Sequence, residues 1–550
     1  MAVVDGVRRS AASFMDQHRR QPVLMGAVLF LAGIMCGYRF GVWPVAAGGA
    51  AACGLLLAWV RGPLGRNGLA ALGILLLGWA VAAKDLGGRR DEASRFGERP
   101  PRQTFVCRVG PDVVVKPMRG NSAKFTFRGE RLRTEDGAFA CRRLPVEVNW
   151  FGARAADPAS VPGPGEMWRL TGSAKIKKGR DGLPTLIVNT GEDRSEKLSA
   201  TDPSSWLARI AAARRQAVGR VTVGIENWGV VPSLNQAMLL GCRSEIPPEM
   251  RRVFANSGTI HVFAISGLNI ALVAGLLVVL VSAAGVARPY WALGVAPLLV
   301  FYTLASGAQP SAVRACLMAI IYFAAPLFGR KPSGIVALSA TALIVYACAP
   351  SMVYNIGCTL SFAVMGGLVV FCRPFCMAGR RLCRLDRLEQ VARMSEQAGS
   401  PAAGVRVRWT MAGVRFLIDS VAVSLAAWLA SLPLTAYYFA RFTPGGFFAN
   451  LVISPCAFLV MVAGSLGLVT SFVSDWIASV FNHAAGFFTV IMIRTAEMTA
   501  GCGWANFRIA RWEPWMVWIW FGALAAWAAW LNVRRPSDGL AWLDGVEGMK

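Results

Sequence analysis

In the stretch 237–277, a charged, amphipathic approach leads into an apolar run that carries four polar or flexible residues within nine positions. They are His261, Ser266, Gly267 and Asn269. Polar groups at membrane depth are costly, so such a cluster usually faces a cavity, a pore or another helix. Gly267 can loosen a helix, and neighbouring hydroxyls can satisfy the backbone groups that it frees. Two interpretations remain open, a conduit lining and a helix-packing seam, since small and polar residues also join spanning helices.

Other polar residues in or beside apolar runs are further candidates for a conduit. Arg314 follows Pro310 and Ser311 at a predicted loop–helix junction. Its side chain could reach the membrane interface, or present a cation to phosphate at the mouth of a conduit, and the junction favours the second. Ser361 and Asn450 could line the conduit too, although interhelical hydrogen bonding is the favoured interpretation of each.

The composition places these residues in a membrane protein. Hydrophobic residues make up 55% of the 550 positions and charged residues 16%, whereas a soluble domain carries about 25% charged residues. Disorder, a collagen and a small disulfide scaffold are excluded by the same figures. The formal net charge of +26 exceeds what positive-inside loops explain, and it suggests an anionic partner, either lipid headgroups or a nucleic acid.

Apolar runs predict about twelve membrane spans, since a helix needs ~20 residues to cross a bilayer. The runs fall near 23–38, 42–60, 68–83, 259–284, 290–306, 311–328, 333–349, 356–372, 416–440, 446–470, 473–493 and 513–533. Arginines before the first run and after the second place the N-terminus in the cytoplasm. The loop 373–415, with nine Arg against three acidic residues, then also lies in the cytoplasm, as does the C-terminus.

The domain organisation follows from these shifts in composition. We predict a cytoplasmic N-terminus with three spans, a periplasmic β-domain, amphipathic linker helices, a spanning core and a short cytoplasmic tail, at 1–83, 84–202, 203–258, 259–535 and 536–550. The β-domain has five short alternating strand signals, at 104–115, 124–133, 144–150, 167–176 and 184–190. Strands of this kind, separated by Gly/Pro turns, are typical of a small closed β-barrel of the OB type.

Aromatic residues alternate with cations in the predicted barrel. Residues 89–197 hold 22 Lys/Arg and 14 Asp/Glu, a net charge of +8. Rings that stack bases beside cations that follow phosphates would suit single-stranded nucleic acid. The alternative is that the rings form the barrel core and the cations a solvated face. The candidates are Phe105, Arg108, Lys124, Phe125, Phe127, Arg128, Trp150, Trp168 and Arg169.

Cysteine and histidine usage points away from metal chemistry. Cys107 and Cys141 lie on or beside predicted periplasmic strands, where an oxidising compartment favours a disulfide; two unpaired core thiols are the alternative. The grouped cysteines at 372, 376 and 383 have no histidine among them and lack zinc-site spacing. We predict no metal site and no cofactor.

Four segments of the core resemble, in order, the markers of the ComEC competence-channel family. The first is HVFAISGLN within 237–277, followed by SGAQPSAVRA within 306–331, NIGCTLSFAVMGGL at 355–368 and SLPLTAYYFARFTPGGFFANLVISP at 431–455. The three leading spans and the barrel are also similar to the N-terminal layout of that family. Three positions depart from the family pattern: Asn269 replaces a His, Thr359 a Gln and Cys242 an Asp.

The resemblance implies transport of single-stranded DNA across the bacterial inner membrane during natural transformation. In that picture the barrel receives DNA in the periplasm, and a cytoplasmic ATP-driven motor and a periplasmic DNA receptor act with the channel. A separate nuclease and a homo-oligomer are further expected partners beside the bilayer. Many family members carry a nuclease-like domain that needs a His/Asp cluster, but this sequence has three scattered histidines, so we expect no enzyme and no catalytic residue.

Two other functions fit the same composition. The first is a transporter for another anionic polymer or a small solute, with the barrel as a gate, although no inverted repeat between halves is evident. The second is a membrane scaffold that docks DNA without conducting it. Steep salt dependence and a preference for single strands would favour the DNA channel over both.

Overall fold

A computed structural model describes most of the chain. It covers residues 22–40, 63–97, 102–117, 122–135, 139–141, 144–153, 166–178, 184–199, 213–214, 216–242, 246–263, 267–383 and 401–533. The predicted span 42–60, the tail 536–550 and Ser266 lie outside these residues. Helices predominate in the described part, and one separate domain there is built from β-strands.

The first two helices, α1 (Pro22–Phe40) and α2 (Pro63–Gly97), pack in close backbone contact. A Cβ added at Gly33 would lie 1.8 Å from the carbonyl oxygen of Leu75. Glycine alone permits so close an approach of two helices. The predicted runs at 23–38 and 68–83 are therefore helical and adjacent.

The β-domain is a closed barrel of five strands in the order β1-β2-β3-β5-β4. The strands are β1 (Arg102–Pro117), β2 (Ser122–Thr134), β3 (Val146–Ala153), β4 (Met167–Lys178) and β5 (Pro184–Ser199). Neighbours are antiparallel except β3 and β5, which are parallel. Each strand overlaps its predicted counterpart, so the five-stranded closed barrel is confirmed. Strict alternation of apolar and polar residues made these strands recognisable.

Helix α2 continues beyond the predicted end of its span at residue 83 because its last turns join the barrel. Phe96 is buried among the barrel aromatics, with its ring centroid 5.4 Å from that of Phe139 and 6.2 Å from that of Phe105. Glu92 accepts a hydrogen bond from the backbone N–H of Leu144 at 2.9 Å. The same helix thus packs in the apolar pair and, through its last turns, against the barrel.

The segment predicted as amphipathic linker helices is part of the core. It contains α3 (Val231–Leu240) and α4 (Pro248–Asn256), and a 3-10 turn at Ile260–Phe263 follows it. Leu234 and Met238 of α3 are 0% and 1% exposed. They belong to the largest buried apolar cluster described, because α3 is apolar on several faces and packs against the late helices of the chain.

The remaining helices follow the predicted apolar runs closely. They are α5 (Gly267–Ala283), α6 (Trp291–Ala305), α7 (Pro310–Ala324), α8 (Gly334–Cys348), α9 (Ile356–Leu382), α10 (Pro401–Phe439), α11 (Gly445–Thr470), α12 (Asp475–Gly501) and α13 (Pro514–Val533). A two-residue ribbon of β6 (Arg441–Phe442) and β7 (Phe507–Arg508) joins the segments after α10 and before α13.

Five of the described helices are long and apolar enough to cross a membrane. By length and composition these are Pro310–Phe328, Ile356–Leu382, Thr410–Phe439, Gly445–Thr470 and Asp475–Gly501. Shorter apolar helices occur at Gly26–Cys36, Asn269–Ala283, Gly334–Cys348 and Pro514–Leu524. A helical membrane protein is the architecture that results, while the total of about twelve spans stays a prediction.

The predicted cytoplasmic loop 373–415 is largely helical where it is described. Helix α9 continues to Leu382 and α10 starts at Pro401. Arg380 of α9 lies 3.4 Å from Asp419 of α10.

Candidate functional site

The C-terminal end of α3 is buried in the helical core, and its last carbonyl groups are hydrogen-bonded by side chains. A helix leaves its final carbonyls without partners within the helix, and in an apolar surrounding each needs a donor. The donor–acceptor pairs are Asn269 Nδ2 to Met238 O, Tyr302 Oη to Leu239 O and Arg214 Nη2 to Leu240 O, each at 3.1 Å. Gly241 ends the helix at φ +74°, a conformation that glycine adopts readily. Three separate segments therefore anchor this helix end.

The polar cluster of the sequence divides among several roles. Asn269 is 5% exposed and bonded to α3, which supports the packing-seam interpretation for this residue. His261 lies in the 3-10 turn with an exposed side chain. Gly267 is the first residue of α5, and a Cβ there would lie 3.8 Å from Ala315 of α7. Asn269 and His261 therefore differ in exposure, and the assignment of His261, Ser266 and Gly267 to a conduit lining stays a prediction.

Arg314 is buried, at 2% exposure. Its cation is therefore not presented to solvent at an open mouth, and its assignment to the conduit stays a prediction. The residue lies a turn inside α7, where its Nη2 donates to the carbonyl oxygen of Gly357 at 2.8 Å. Its guanidinium also lies 5.4 Å from the ring centroid of Phe362. Among the described residues, Nε and Nη1 have no hydrogen-bond partner.

Ser361 and Asn450 are both half-buried. The Oδ1 atom of Asn450 is buried and has no hydrogen-bond partner in the described part of the chain. Such an acceptor is costly unless a water or a ligand reaches it. Their assignment to a conduit lining stays a prediction.

The five predicted stacking aromatics all form the barrel interior. Phe105 and Trp150 are 0% exposed, and the others, Phe125, Phe127 and Trp168, are 6%, 2% and 3% exposed. Trp150 donates from Nε1 to Ser195 at 2.7 Å. The prediction that these rings stack bases is therefore wrong, because strand alternation turns each of them inward, where burial of apolar surface stabilises the barrel.

The predicted cations have different surroundings. Arg169 lies 3.0 Å from Glu135 and 2.6 Å from Glu196, so its charge is paired. Arg108 is half-buried, and Lys124 lies over an outward-facing ring, that of Phe151, at 5.8 Å. The side chain of Arg128 is outside the described residues.

Phe151, whose ring is half-exposed, was not among the predicted stacking residues. The sequence nevertheless contains a pattern that identifies it. In a strand, successive side chains face opposite sides, so a buried Trp150 requires the next residue to face outward.

Both barrel cysteines are free thiols, which corrects the predicted disulfide. Cys141 donates from Sγ to the carbonyl oxygen of Leu144 at 3.2 Å, whereas Cys107 lies opposite Trp168 in the sheet register. Burial raises the pKa of the Cys107 thiol to about 12. Burial, followed by the charge of Glu92, raises the pKa of Cys141 to about 12. The thiolates needed for disulfide exchange are therefore scarce.

A family model described as "Competence protein" matches residues 238–534. The chain belongs to the competence protein family. It is also similar to "ComE operon protein 3" of Bacillus subtilis (strain 168), with 24% identity over 199 residues. That match covers 36% of this chain and 25% of the relative, so it spans a quarter of the relative's length. No solved structure matches the chain.

The family match of this competence protein begins inside α3, at the first of the three anchored carbonyls, and ends just past α13. Besides Asn269, the other two positions singled out in the sequence, Thr359 and Cys242, also have structural partners here. Thr359 donates from Oγ1 to the carbonyl oxygens of Val353 at 2.9 Å and Asn355 at 3.1 Å. The Sγ atom of Cys242 accepts a hydrogen bond from Nη2 of Arg214 at 3.7 Å. Both substituted residues therefore support helix ends within the core.

Proposed function

We propose that this competence protein is an inner-membrane channel that conducts single-stranded DNA into the cytoplasm during natural transformation. The observation that carries the proposal is the family match, which covers the helical core from α3 to α13. The net charge of +26 supports a polyanionic substrate. About twelve spans with both termini in the cytoplasm complete the proposed topology.

The barrel is proposed to be an OB-like domain that receives DNA in the periplasm. Its connection to α2 supports this role, because Phe96 and Glu92 of that helix are bound into the barrel. A DNA strand that is bound by the barrel would then enter the membrane core from a defined position. The residues that would contact it differ from the predicted aromatics, which are buried.

Several partners belong to the proposal. Transport against a gradient needs an energy source, and the sequence has no GxxxxGK[ST] phosphate-binding loop. A cytoplasmic ATP-driven motor and a periplasmic DNA receptor would therefore act with the channel. We propose that the chain itself is not an enzyme and that a separate nuclease produces the single strand. Self-association would be a further feature of the assembly.

A clean gene deletion tests the proposal. We expect loss of transformation by added DNA, while labelled DNA still becomes protected from external nuclease in the periplasm. Complementation with the full chain should restore transformation. Unchanged transformation in a demonstrably competent host would contradict the channel and favour a solute transporter or a docking scaffold. Loss of periplasmic protection as well would place the protein at an earlier step than proposed.

A further inference from the structure

Five polar side chains form one row across the barrel, on the side of the strands opposite the buried aromatics, and one of them, Asn149, is itself buried at 6% exposure. The strand register pairs Thr126 with Asn149, Asn149 with Asn189, Asn189 with Ser173, and Ser173 with Arg102. We call these five residues the polar row. Because neighbouring strands are about 4.8 Å apart, the row is roughly 19 Å long.

Hydrogen bonds order the middle of the polar row. Thr126 donates from Oγ1 to Asn149 Oδ1 at 3.3 Å, and Asn149 donates from Nδ2 to Asn189 Oδ1 at 2.8 Å. The half-buried Asn189 accepts the second bond through Oδ1, and the Nδ2 of the same amide is a hydrogen-bond donor. Side chains held in this way lose little entropy when a ligand binds.

An aromatic ring and a cation lie on one side of the polar row. Phe151 and Lys124 face each other in the register, with Nζ 5.8 Å from the ring centroid. Across the neighbouring strand the ring faces Gly191, which has no side chain to cover it. The ring therefore offers a half-exposed face for stacking.

Two more lysines lie on the other side of the row. Lys175 and Lys177 are exposed on β4 and, among the described residues, form no salt bridge. Glu147 is exposed on β3, on the same side of the row as these lysines. The net charge around the row is positive.

Two cations at the other end of the barrel are paired. Lys197 lies 2.5 Å from Glu166, and the arginine at 169 is bound between two glutamates. Paired cations attract a polyanion less than free ones do. Lys175 and Lys177 beside the polar row therefore differ from Lys197 and Arg169, whose charges are already paired.

We propose that the polar row, with Lys124, Phe151, Lys175 and Lys177, is the surface on which the barrel binds single-stranded DNA. One base stacks on the Phe151 ring, the lysines follow phosphates, and the amide of Asn189 donates to a base or sugar oxygen. A base must be unstacked to reach the ring, so the surface selects single strands over duplex. The inference rests on the proposed function and specifies its first DNA contact.

Binding by the full-length protein in nanodiscs tests this surface. The probe is a fluorescent 20-nucleotide oligo(dT), with the matching duplex as competitor, followed by fluorescence anisotropy over a range of salt concentrations. Phe151→Ala should weaken binding by roughly 5- to 150-fold, as expected for loss of one base stack. Phe151→Trp should retain binding. The double variant Lys175→Ala/Lys177→Ala should lower the salt slope by about 1.4, since each phosphate contact contributes about 0.7.

Lys197→Ala is the matched control, because it removes the same group from a paired position on the same barrel. Wild-type affinity in Phe151→Ala and in the lysine double variant would overturn the inference, as would absence of oligo(dT) binding by the wild type. The outcome is separable from the proposed function. If the deletion strain loses transformation while the surface variants bind and transform normally, the channel stands and this surface fails.

Discussion

Asn269 of α5 donates a hydrogen bond to the carbonyl oxygen of Met238 in α3, at 3.1 Å, in a part of the core where both residues are almost fully buried. The bond joins α3 to α5, and its acceptor, Met238, is the first residue that the family model matches. The amide of Asn269 offers an N–H donor, and a donor is what the end of α3 requires.

Asn269→Leu should therefore lower the stability of the protein by about 1–2 kcal/mol, since it leaves a buried carbonyl without a donor. Asn269→His should be closer to the wild type because the imidazole keeps an N–H. Thermal unfolding in detergent measures both. Asn227→Leu, at an exposed amide, is the control. Equal unfolding temperatures for Asn269→Leu and the wild type would show that the bond contributes nothing.

Arg314→Ala should destabilise the core by about 2–3 kcal/mol. The variant removes the donor to Gly357 and leaves a cavity beside Phe362. Denaturant unfolding monitored by intrinsic fluorescence is the measurement. Arg494→Ala removes an arginine whose side chain is 76% exposed, and a change within about 0.5 kcal/mol is expected there. Equal free energies of unfolding for Arg314→Ala and Arg494→Ala would contradict a structural role for the buried Arg314.

Phe96→Ala should loosen the joint between α2 and the barrel. Loss of a buried phenylalanine costs about 3–5 kcal/mol, and this ring contacts two barrel aromatics. Limited proteolysis in nanodiscs should release barrel fragments faster from the variant than from the wild type. Phe448→Ala, at a ring 55% exposed on α11, should leave barrel cleavage unchanged. Identical cleavage of Phe96→Ala and wild type would mean that the helix does not anchor the barrel.

Cys107 and Cys141 should resist alkylation in the folded protein at pH 8. Their pKa values are raised to about 12, so the thiols remain protonated and the nucleophilic thiolate becomes abundant only as the pH approaches that value. Both should react fully after unfolding without a reductant. Peptide mass spectrometry measures the alkylated fraction of each cysteine. A disulfide-linked peptide in protein purified from an oxidising compartment would contradict the free thiols.

The sequence by itself determined the elements of this protein. Alternation with a period of two located five strands, and apolar runs located the helices, because both signals are local and follow from burying apolar surface. Ordered markers also indicated the family that the match over 238–534 establishes. Strand alternation also predicts that Phe151 faces outward, although the neighbouring Trp150 was predicted to be the stacking residue.

Only the tertiary structure decided which polar residues meet. Asn269 finds its acceptor 31 positions earlier in the chain, and Arg314 finds its own 43 positions later. A buried position at 314 could not be deduced from a loop–helix junction, since it depends on how α9 packs against α7. The anchoring of α3 and the row of polar side chains on the barrel likewise arise from helix packing and strand register. Such partners are set by the free energy of satisfying buried polar groups in three dimensions, which the spacing of residues along a chain does not specify.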